Sequence, residues 1–465
     1  MPGPIPIRRS VLAVIVMLCL HGCATDLSSA PPEAAVTAST TTSPFVEVPD
    51  PLAATNPVHR MMASPVPAVA GSVGYTAFGT SATRVTGTER LRHAYSRHDP
   101  FSRDQRLVLL QYFPEGEWRV YRTTAIPYDV PGQLVRTIDL SEPTWDRQDS
   151  DALWGLRGLR IVRLDVLSGR ETVIKDFTTD ATIGPILRAH PDIDRITMKD
   201  EGEPSLDMTH WAFLLTGTNE DGRARWLFSW NRETNRVEGV RVLSAAESRI
   251  DWVGMSPRGT YVLIGGDWDN APPLAGLTLS DRGLTRFHRL DYGTAHADVG
   301  LSADGREIVV MQNTRTDYID VIPLSWDTRP ILESGGGYEG TGRVRLIRLN
   351  YDEASPAPLD SGVHISCNAD GWCVVSTYVE PGRPARNWLD RSIVLARLDL
   401  RRPRVIYLAH VHGAAAAYWE ETHAALTRDG RRVVWATNWG RRPGEERVWL
   451  MQLDVPAAWL ADLGR

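Results

Sequence analysis

A repeated turn in this sequence is preceded, at a fixed distance, by side chains that could do chemistry. A purely structural repeat would fill that position with small or apolar residues. Imidazoles and carboxylates in this pattern point instead to a ligand set for a divalent cation or to acid–base catalysis. The position four residues before each turn start is ionisable in every copy but one and holds His98, Glu142, Glu201, Trp252, Asp298, His364 and His423.

A metal site is one interpretation of this pattern. His296 and Glu421 stand two residues before Asp298 and His423, and they therefore share a strand face with them. The candidate ligands are His296, Asp298, His364, Glu421 and His423. This mixture of imidazoles and carboxylates suits Mn, Ca or Zn.

Acid–base chemistry is a second interpretation, and it can coexist with the first. A histidine or tyrosine would remove a proton while an arginine neutralises a substrate carboxylate. The candidates for these roles are His98, Arg97, His364, Tyr418 and His423. In a third interpretation, all these groups hydrogen-bond to one another and to water in a polar funnel.

The repeated turn itself predicts the fold. Its clear copies lie between β-patterned runs at residues 256–259, 302–305, 368–371 and 427–430, and more divergent copies begin at 102, 146 and 205. Asp-Gly between such runs is a strong hairpin signal, because glycine tolerates a positive φ. Each interval can hold one four-stranded sheet, as propeller blades of about 40–50 residues do. We therefore predict an all-β protein: a seven-bladed β-propeller of four-stranded antiparallel blades over residues 71–465, with six or eight blades as alternatives.

The two ends of this propeller are expected to meet in its last blade. After the turn at 427, one further clear strand follows at 447–453. The strand that completes the blade would come from residues 71–78, GSVGYTAF. Pairing these two segments would close the ring.

The repeat and its last copy each resemble known propeller families. The turn and its flanks are similar to TolB-type and WD-like propeller repeats over most of residues 85–455. The stretch with Tyr418, Glu421 and His423 resembles the last-blade motif of the oligogalacturonate lyase family, in which these positions hold Gln, His and His, so only the last is retained. That family's ligand histidine in another blade corresponds to Asp298. The resemblance implies a divalent metal held at the channel mouth and β-elimination on a uronic acid.

Other propeller polysaccharide lyases use His, Tyr and Arg at the same mouth without a catalytic metal. Their resemblance implies a metal-free site in which His98, His364, Tyr418 and Arg97 do the chemistry. Trp252 would offer a flat apolar face to a sugar ring. So would Trp419.

The N-terminus is typical of an exported lipoprotein. Arg8 and Arg9 precede the apolar run 11–20, which is shorter than the roughly 20 residues of a transmembrane helix. Leu20-His21-Gly22-Cys23 resembles the bacterial lipobox, which implies a signal peptide over 1–22 and lipid, palmitate included, on Cys23. By that family's sorting rule, Ala24 implies the outer membrane. Residues 23–70, rich in Ala, Pro, Ser and Thr, are expected to form a flexible linker.

Composition narrows the partners further. The formal net charge is −6 and no long basic run occurs, which argues against nucleic-acid binding. Cys367 and Cys373 flank a predicted turn, where they would form either a disulfide in an oxidising periplasm or two small buried side chains.

Two functions from different classes fit these observations. The first is a membrane-tethered carbohydrate-active lyase that binds acidic oligosaccharides at the channel mouth. The second is a non-catalytic TolB-like scaffold that binds a periplasmic protein. The ionisable residues that precede the turns favour the lyase, whereas the incomplete match to a catalytic motif favours the scaffold. A hydrolase is disfavoured, since no G-x-S-x-G or H-E-x-x-H motif occurs.

Overall fold

Seven antiparallel sheets form a ring in the computed structural model, which confirms the predicted seven-bladed β-propeller. The structure describes residues 45–463 with gaps at 114, 218–222, 268–269, 294–295, 314 and 332–336. The predicted signal peptide, Cys23 and the linker up to residue 44 lie outside the described residues.

The strands follow one another blade by blade along the chain. Two strands come first: β1 (Ser72–Tyr75) and β2 (Thr80–Arg84). Blade 1 contains β3 (Leu91–Arg92), β4 (Leu107–Tyr112), β5 (Glu117–Arg122) and β6 (Leu134–Ile138). Blade 2 contains β7 (Ser141–Trp145), β8 (Ala152–Arg157), β9 (Arg160–Asp165) and β10 (Glu171–Asp176). Blade 3 contains β11 (Arg195–Thr197), β12 (His210–Thr216), β13 (Trp226–Asn231) and β14 (Arg236–Val242).

The remaining blades repeat this order. Blade 4 contains β15 (Ile250–Met255), β16 (Val262–Gly266), β17 (Gly276–Ser280) and β18 (Phe287–Asp291). Blade 5 contains β19 (Ala297–Leu301), β20 (Glu307–Asn313), β21 (Tyr318–Pro323) and β22 (Val344–Arg348). Blade 6 contains β23 (Ser361–Ser366), β24 (Trp372–Val379), β25 (Ser392–Arg397) and β26 (Arg404–His410). Blade 7 contains β27 (Ala425–Leu426), β28 (Arg432–Thr437) and β29 (Trp449–Asp454), followed in space by β2 and β1.

Helices are short. The α-helices are α1 (Ile183–Ala189) and α2 (Ala457–Leu463), and 3₁₀ turns occupy Pro131–Gln133, Phe177–Thr179, Ala245–Glu247 and Tyr418–Glu420. Within the described part of the chain, we find no helix with the length and apolar character needed to cross a membrane.

A shared hydrogen-bond pattern explains the sequence of the repeated turn. The Ser302 hydroxyl donates to the Asp304 carboxylate (2.5 Å) and accepts a backbone N–H at the start of the next strand (2.9 Å). The divergent turn at Ser205 makes the same two bonds, at 2.5 and 2.9 Å. There Met208, with φ of 59°, takes the left-handed conformation that Gly305 adopts at 79°. The hydroxyl–carboxylate pair therefore persists where the glycine is lost.

The ring closes through two N-terminal strands. β2 pairs with β29, with Ala82 opposite Leu453, and β1 pairs with the outer edge of β2. The prediction of a single closing strand at 71–78 is therefore corrected. Residues 80–84 contact the C-terminal strand, residues 72–75 add a fifth strand, and blade 7 has five strands rather than four.

Residues 45–48 pack against the outer strand of blade 6. Glu47 forms a β-bridge with Ile406, and the backbone N–H of Val48 donates to the carbonyl of Val405 (2.8 Å). Phe45 and Val48 are buried in the core that blades 5 to 7 share. The predicted flexible linker over 23–70 is thus wrong for these residues, because the open edge of β26 supplies hydrogen-bond partners and the two apolar side chains leave water.

Candidate functional site

Histidines and a glutamate from three adjacent blades meet beside the central channel. His364 lies in β23, and His296 stands directly before β19. Glu421 and His423 lie in the segment that leads into β27. The first strands of blades 5, 6 and 7 contact one another in sequence, and this contact brings the side chains together. We call these four residues the histidine cluster.

The distances within the histidine cluster allow direct interaction. Nε2 of His364 lies 2.6 Å from Oε2 of Glu421, and Nε2 of His423 lies 3.7 Å from the same oxygen. The rings of His364 and His423 have centroids 3.9 Å apart, and the ring of His296 lies 4.4 Å from that of His364. The side chains of His364 and His423 are fully buried, whereas Glu421 is 14% exposed.

Two tyrosines border the histidine cluster. The Tyr95 hydroxyl lies 3.0 Å from Nδ1 of His296, and its ring lies 5.6 Å from that of His364. Tyr418 stacks on Tyr95 and lies 4.9 Å from the His423 ring. Tyr418 is 43% exposed. It therefore marks the side from which a ligand can reach the cluster.

Blade 1 holds His423 in place. Nη2 of Arg92 lies 2.6 Å from Nδ1 of His423, and Nε2 of His93 donates to the backbone carbonyl of His423 (2.5 Å). His423 has a φ of 42°, in the left-handed region that costs energy for a residue other than glycine. Such a conformation persists where its surroundings enforce it, as these two bonds do.

Burial sets the protonation of the histidine cluster. It lowers the pKa of His364 and His423 well below the usual histidine value and that of His296 to about 3. It raises the pKa of Glu421 to about 7, against the opposing effects of His296 and Arg92. The imidazoles are therefore neutral at neutral pH, and Glu421 can gain or lose a proton there.

The tyrosines stay protonated. Burial raises the pKa of Tyr95 well above its ordinary value, and Glu201 adds to this effect. Burial also raises the pKa of Tyr418. Both hydroxyls are thus hydrogen-bond donors and acids, and the group of the histidine cluster that gains a proton near neutral pH is Glu421.

A second polar group lies across the channel. Nη2 of Arg97 pairs with Glu201 (3.0 Å), and Nδ1 of His98 pairs with Glu203 (3.4 Å). Arg147 also contacts Glu203 (2.8 Å). Burial raises the pKa of Glu203, but Arg147 and the His98 hydrogen bond outweigh it and hold that pKa far below its usual range. These residues form an ion network between blades 1, 2 and 3.

Asp298 does not join the histidine cluster. Its Oδ2 accepts the backbone N–H of Cys367 (2.6 Å), and its Oδ1 accepts that of Val299 (2.8 Å). Cys367 is joined to Cys373 by a disulfide across the turn before β24. Asp298 therefore ties blade 5 to this cross-linked turn of blade 6.

The structure thus divides the predicted site residues into three sets. Arg97 and His98 lie in the ion network, and Asp298 is bound to backbone. Arg92 and His93 were missed by sequence reasoning, although the density of Arg, His and Tyr in residues 92–98 marks this segment. The predicted residues that meet in or beside the histidine cluster are His296, His364, Tyr418, Glu421 and His423.

The histidine cluster fits a divalent cation in donor type. One ligand atom each of His364, Glu421 and His423 lies within 4.8 Å of the others. In the described residues, Nδ1 of His364 and Nε2 of His423 are buried without a hydrogen-bond partner. Because Arg92 donates to Nδ1 of His423, Nε2 of the neutral ring carries a hydrogen that a metal would have to displace. Glu421 is a ready ligand, whereas His423 is a ligand through Nε2 only after losing this hydrogen, and the same holds for His364 when its Nε2–H donates to the Glu421 carboxylate.

A cavity of about 160 Å³ adjoins the histidine cluster, between blades 1, 2 and 3. Tyr95, His98, Trp118 and Trp419 are among its lining residues, and we call it the mouth cavity. Trp252, expected to offer a face to sugars, is instead buried beneath the guanidinium of Arg97, 4.4 Å from its ring centroid.

The propeller is similar to solved lyase structures. An oligogalacturonate lyase in complex with manganese matches 85% of this chain and 98% of that chain, with a TM-score of 0.52 and 12% identity. An oligogalacturonate lyase from Vibrio parahaemolyticus matches 82% of this chain and 95% of that chain, with a TM-score of 0.50 and 11% identity. At such identities the likeness shows the fold alone.

The TolB structure from Acinetobacter baumannii matches less well. It covers 69% of this chain and 64% of that chain at 14% identity, with a TM-score of 0.32, which is too low to support an argument. No protein-family model matches the sequence, and no curated protein matches it either.

Proposed function

We propose that this chain binds acidic oligosaccharides beside its channel and cleaves them by β-elimination. The observation that carries the proposal is the grouping of His364, Glu421 and His423 next to two protonated tyrosines. β-Elimination on a uronic acid needs a base for the C5 proton, an acid for the leaving oxygen and a positive charge for the carboxylate. The residues of this site can supply each of the three.

The base is Glu421, held in position by His364. The two side chains are 2.6 Å apart, and because burial keeps the pKa of His364 well below the usual histidine value, Glu421 is the group of the pair that gains the proton. With a pKa of about 7, Glu421 is ionised in a large share of molecules at neutral pH. The pair can therefore take up the C5 proton as the C4–O bond breaks.

The acid is Tyr418. Its raised pKa keeps the hydroxyl protonated, and its exposure lets it reach a glycosidic oxygen. Tyr95 lies next to Tyr418, and its hydroxyl contacts Nδ1 of His296. Transfer of the Tyr418 proton to the leaving oxygen completes the elimination, and solvent restores it.

Positive charge comes from the chain itself. Arg92 is fully buried next to the histidine cluster, and Arg97, paired with Glu201, lines a small cavity within the ion network. A divalent metal bound by His364, Glu421 and His423 would supply the same neutralisation. A metal bound by Glu421 would occupy its carboxylate and remove it as the base, so a chelator separates the two routes.

The proposed location follows from the N-terminus. Lipid on Cys23 would tether the propeller to the cell envelope, with the outer membrane as the proposed site. A tethered lyase there would meet oligosaccharides that enter the envelope.

The test is incubation of the full chain with a panel of polyuronides while the ultraviolet absorbance of the unsaturated product is followed. We expect product with the wild type and loss of activity with His364→Ala, whereas the control His190→Ala, at the rim of blade 3, keeps it. If the wild type and His364→Ala alike form no product on any polyuronide, the lyase is excluded. The non-catalytic protein-binding scaffold then becomes the better candidate.

A further inference from the structure

We infer that the mouth cavity binds an uncharged sugar ring next to the uronic acid held at the histidine cluster. The substrate would then be an oligosaccharide in which uronic acids alternate with neutral sugars. This inference rests on the proposed function and deepens it.

The mouth cavity adjoins the histidine cluster. Tyr95 lines the cavity and also contacts His296 through its hydroxyl. Trp419 lines the cavity too, and its ring lies 5.8 Å from that of His423. A sugar chain with one ring at the cluster therefore places the next ring in the cavity.

The walls of the mouth cavity suit a pyranose ring. Trp118 and Trp419 are partly exposed, and Phe113 packs against Trp419 with centroids 4.5 Å apart. Flat aromatic faces bind the C–H faces of sugars while leaving the hydroxyl edges free. The volume of about 160 Å³ is well below the roughly 300–1,000 Å³ of sites for larger ligands, so it fits one ring rather than several.

The charges around the mouth cavity disfavour a second uronate. Glu142 and Asp200 both line it, and among the described residues no lysine or arginine does. Burial raises the pKa of Glu142, and the charge of Asp200 raises it further. His98 lies here as well; burial lowers its pKa, but Glu203 and the Asp200 carbonyl outweigh burial and raise it, so its positive charge is paired with Glu203 and both its nitrogens are already bonded. A uronate would add another negative charge, whereas neutral hydroxyls can donate to these carboxylates.

The experiment compares the binding of two oligosaccharides of equal length to the full chain by calorimetry. One alternates uronic acid with a neutral sugar, and the other contains only uronic acid. Unsaturated product is measured separately. The variants are Trp118→Ala, which removes an aromatic wall, and Asp200→Asn, which removes a charge. The controls are Trp326→Ala and Asp399→Asn, both in blades away from the cavity.

We expect the alternating oligosaccharide to bind about tenfold more tightly than the homopolymer. Trp118→Ala should abolish the preference, Asp200→Asn should strengthen homopolymer binding several-fold, and both controls should behave as the wild type does. Equal or tighter binding of the homopolymer, unchanged by Asp200→Asn, overturns this inference and leaves the lyase intact. If neither oligosaccharide binds, the proposed function itself fails.

Discussion

Arg92 in blade 1 donates a hydrogen bond to Nδ1 of His423 in blade 7 across 2.6 Å, and both side chains are fully buried. A guanidinium can only donate, so Nδ1 must accept and the ring hydrogen of neutral His423 lies on Nε2. In the described residues, the other bonds of Arg92 go to the carbonyls of Trp419 and His93 rather than to a carboxylate. Its charge therefore acts on the histidine cluster.

The first prediction separates the charge of Arg92 from its geometry. Arg92→Lys keeps the charge but loses the planar fork, and we expect kcat to fall about 10–100-fold with an unchanged pH profile. Arg92→Met also loses the charge that lowers the pKa of Glu421, so its kcat/KM profile should shift to higher pH. Profiles of kcat/KM against pH for both variants test this. Identical profiles for wild type and Arg92→Met would show that Arg92 is merely structural.

The second prediction concerns the pH dependence of catalysis. If the Glu421 carboxylate is part of the base, kcat/KM should rise with pH through about 7, because only the ionised form accepts a proton. Glu421→Gln should lower the rate about 10²–10⁴-fold, and its kcat/KM should no longer rise with pH through this range. The measurement is the pH profile of both proteins on the same substrate. If kcat/KM of Glu421→Gln still rises with pH, the rise belongs to the titration of another group.

The third prediction concerns stability and the same carboxyl group. Its pKa in the folded state is raised from the ordinary 4.5 to about 7, so the folded chain binds the proton more tightly than the unfolded chain does. The resulting stabilisation is complete below about pH 4.5 and is lost as pH rises through 7. The wild type should therefore lose Tm relative to Glu421→Gln over this interval. Parallel Tm curves for the two proteins would contradict the assignment.

Residue patterns predicted the blade count and half of the site. The Asp-Gly and Ser-x-Asp spacings are local, because one hydroxyl, one carboxylate and one left-handed residue make the turns at 102, 205, 302 and 427. The position of His364 and His423 followed from that spacing. The site contacts that the sequence did not predict are contacts between blades. Arg92, for example, bonds to His423, which lies 331 positions away in the chain. Asp298 carried the same pattern as the histidines, yet it accepts one backbone N–H from the next blade, that of Cys367, and one from its own neighbour Val299.

The fourth prediction separates the metal route from the metal-free route. If His364, Glu421 and His423 bind a divalent cation, metal analysis of the purified wild type should find about one ion per chain and His364→Ala should lack it. A chelator should then abolish product formation, and Mn or Zn should restore it. Activity that is unaffected by the chelator, in a protein free of metal, assigns the carboxylate neutralisation to Arg92 and Arg97.

The fifth prediction assigns the acid. Tyr418→Phe removes one hydroxyl from a side chain that is 43% exposed, so its free energy of unfolding should change by less than about 0.5 kcal/mol. Its kcat should nevertheless fall about 10²–10⁴-fold with little change in KM, because the proton is needed only as the C–O bond breaks. The control is Tyr338→Phe in blade 5, whose hydroxyl bonds to Asp320 (2.7 Å). A substrate with a leaving group that needs no proton should restore the rate of Tyr418→Phe, and failure of that rescue would move the acid role to Tyr95.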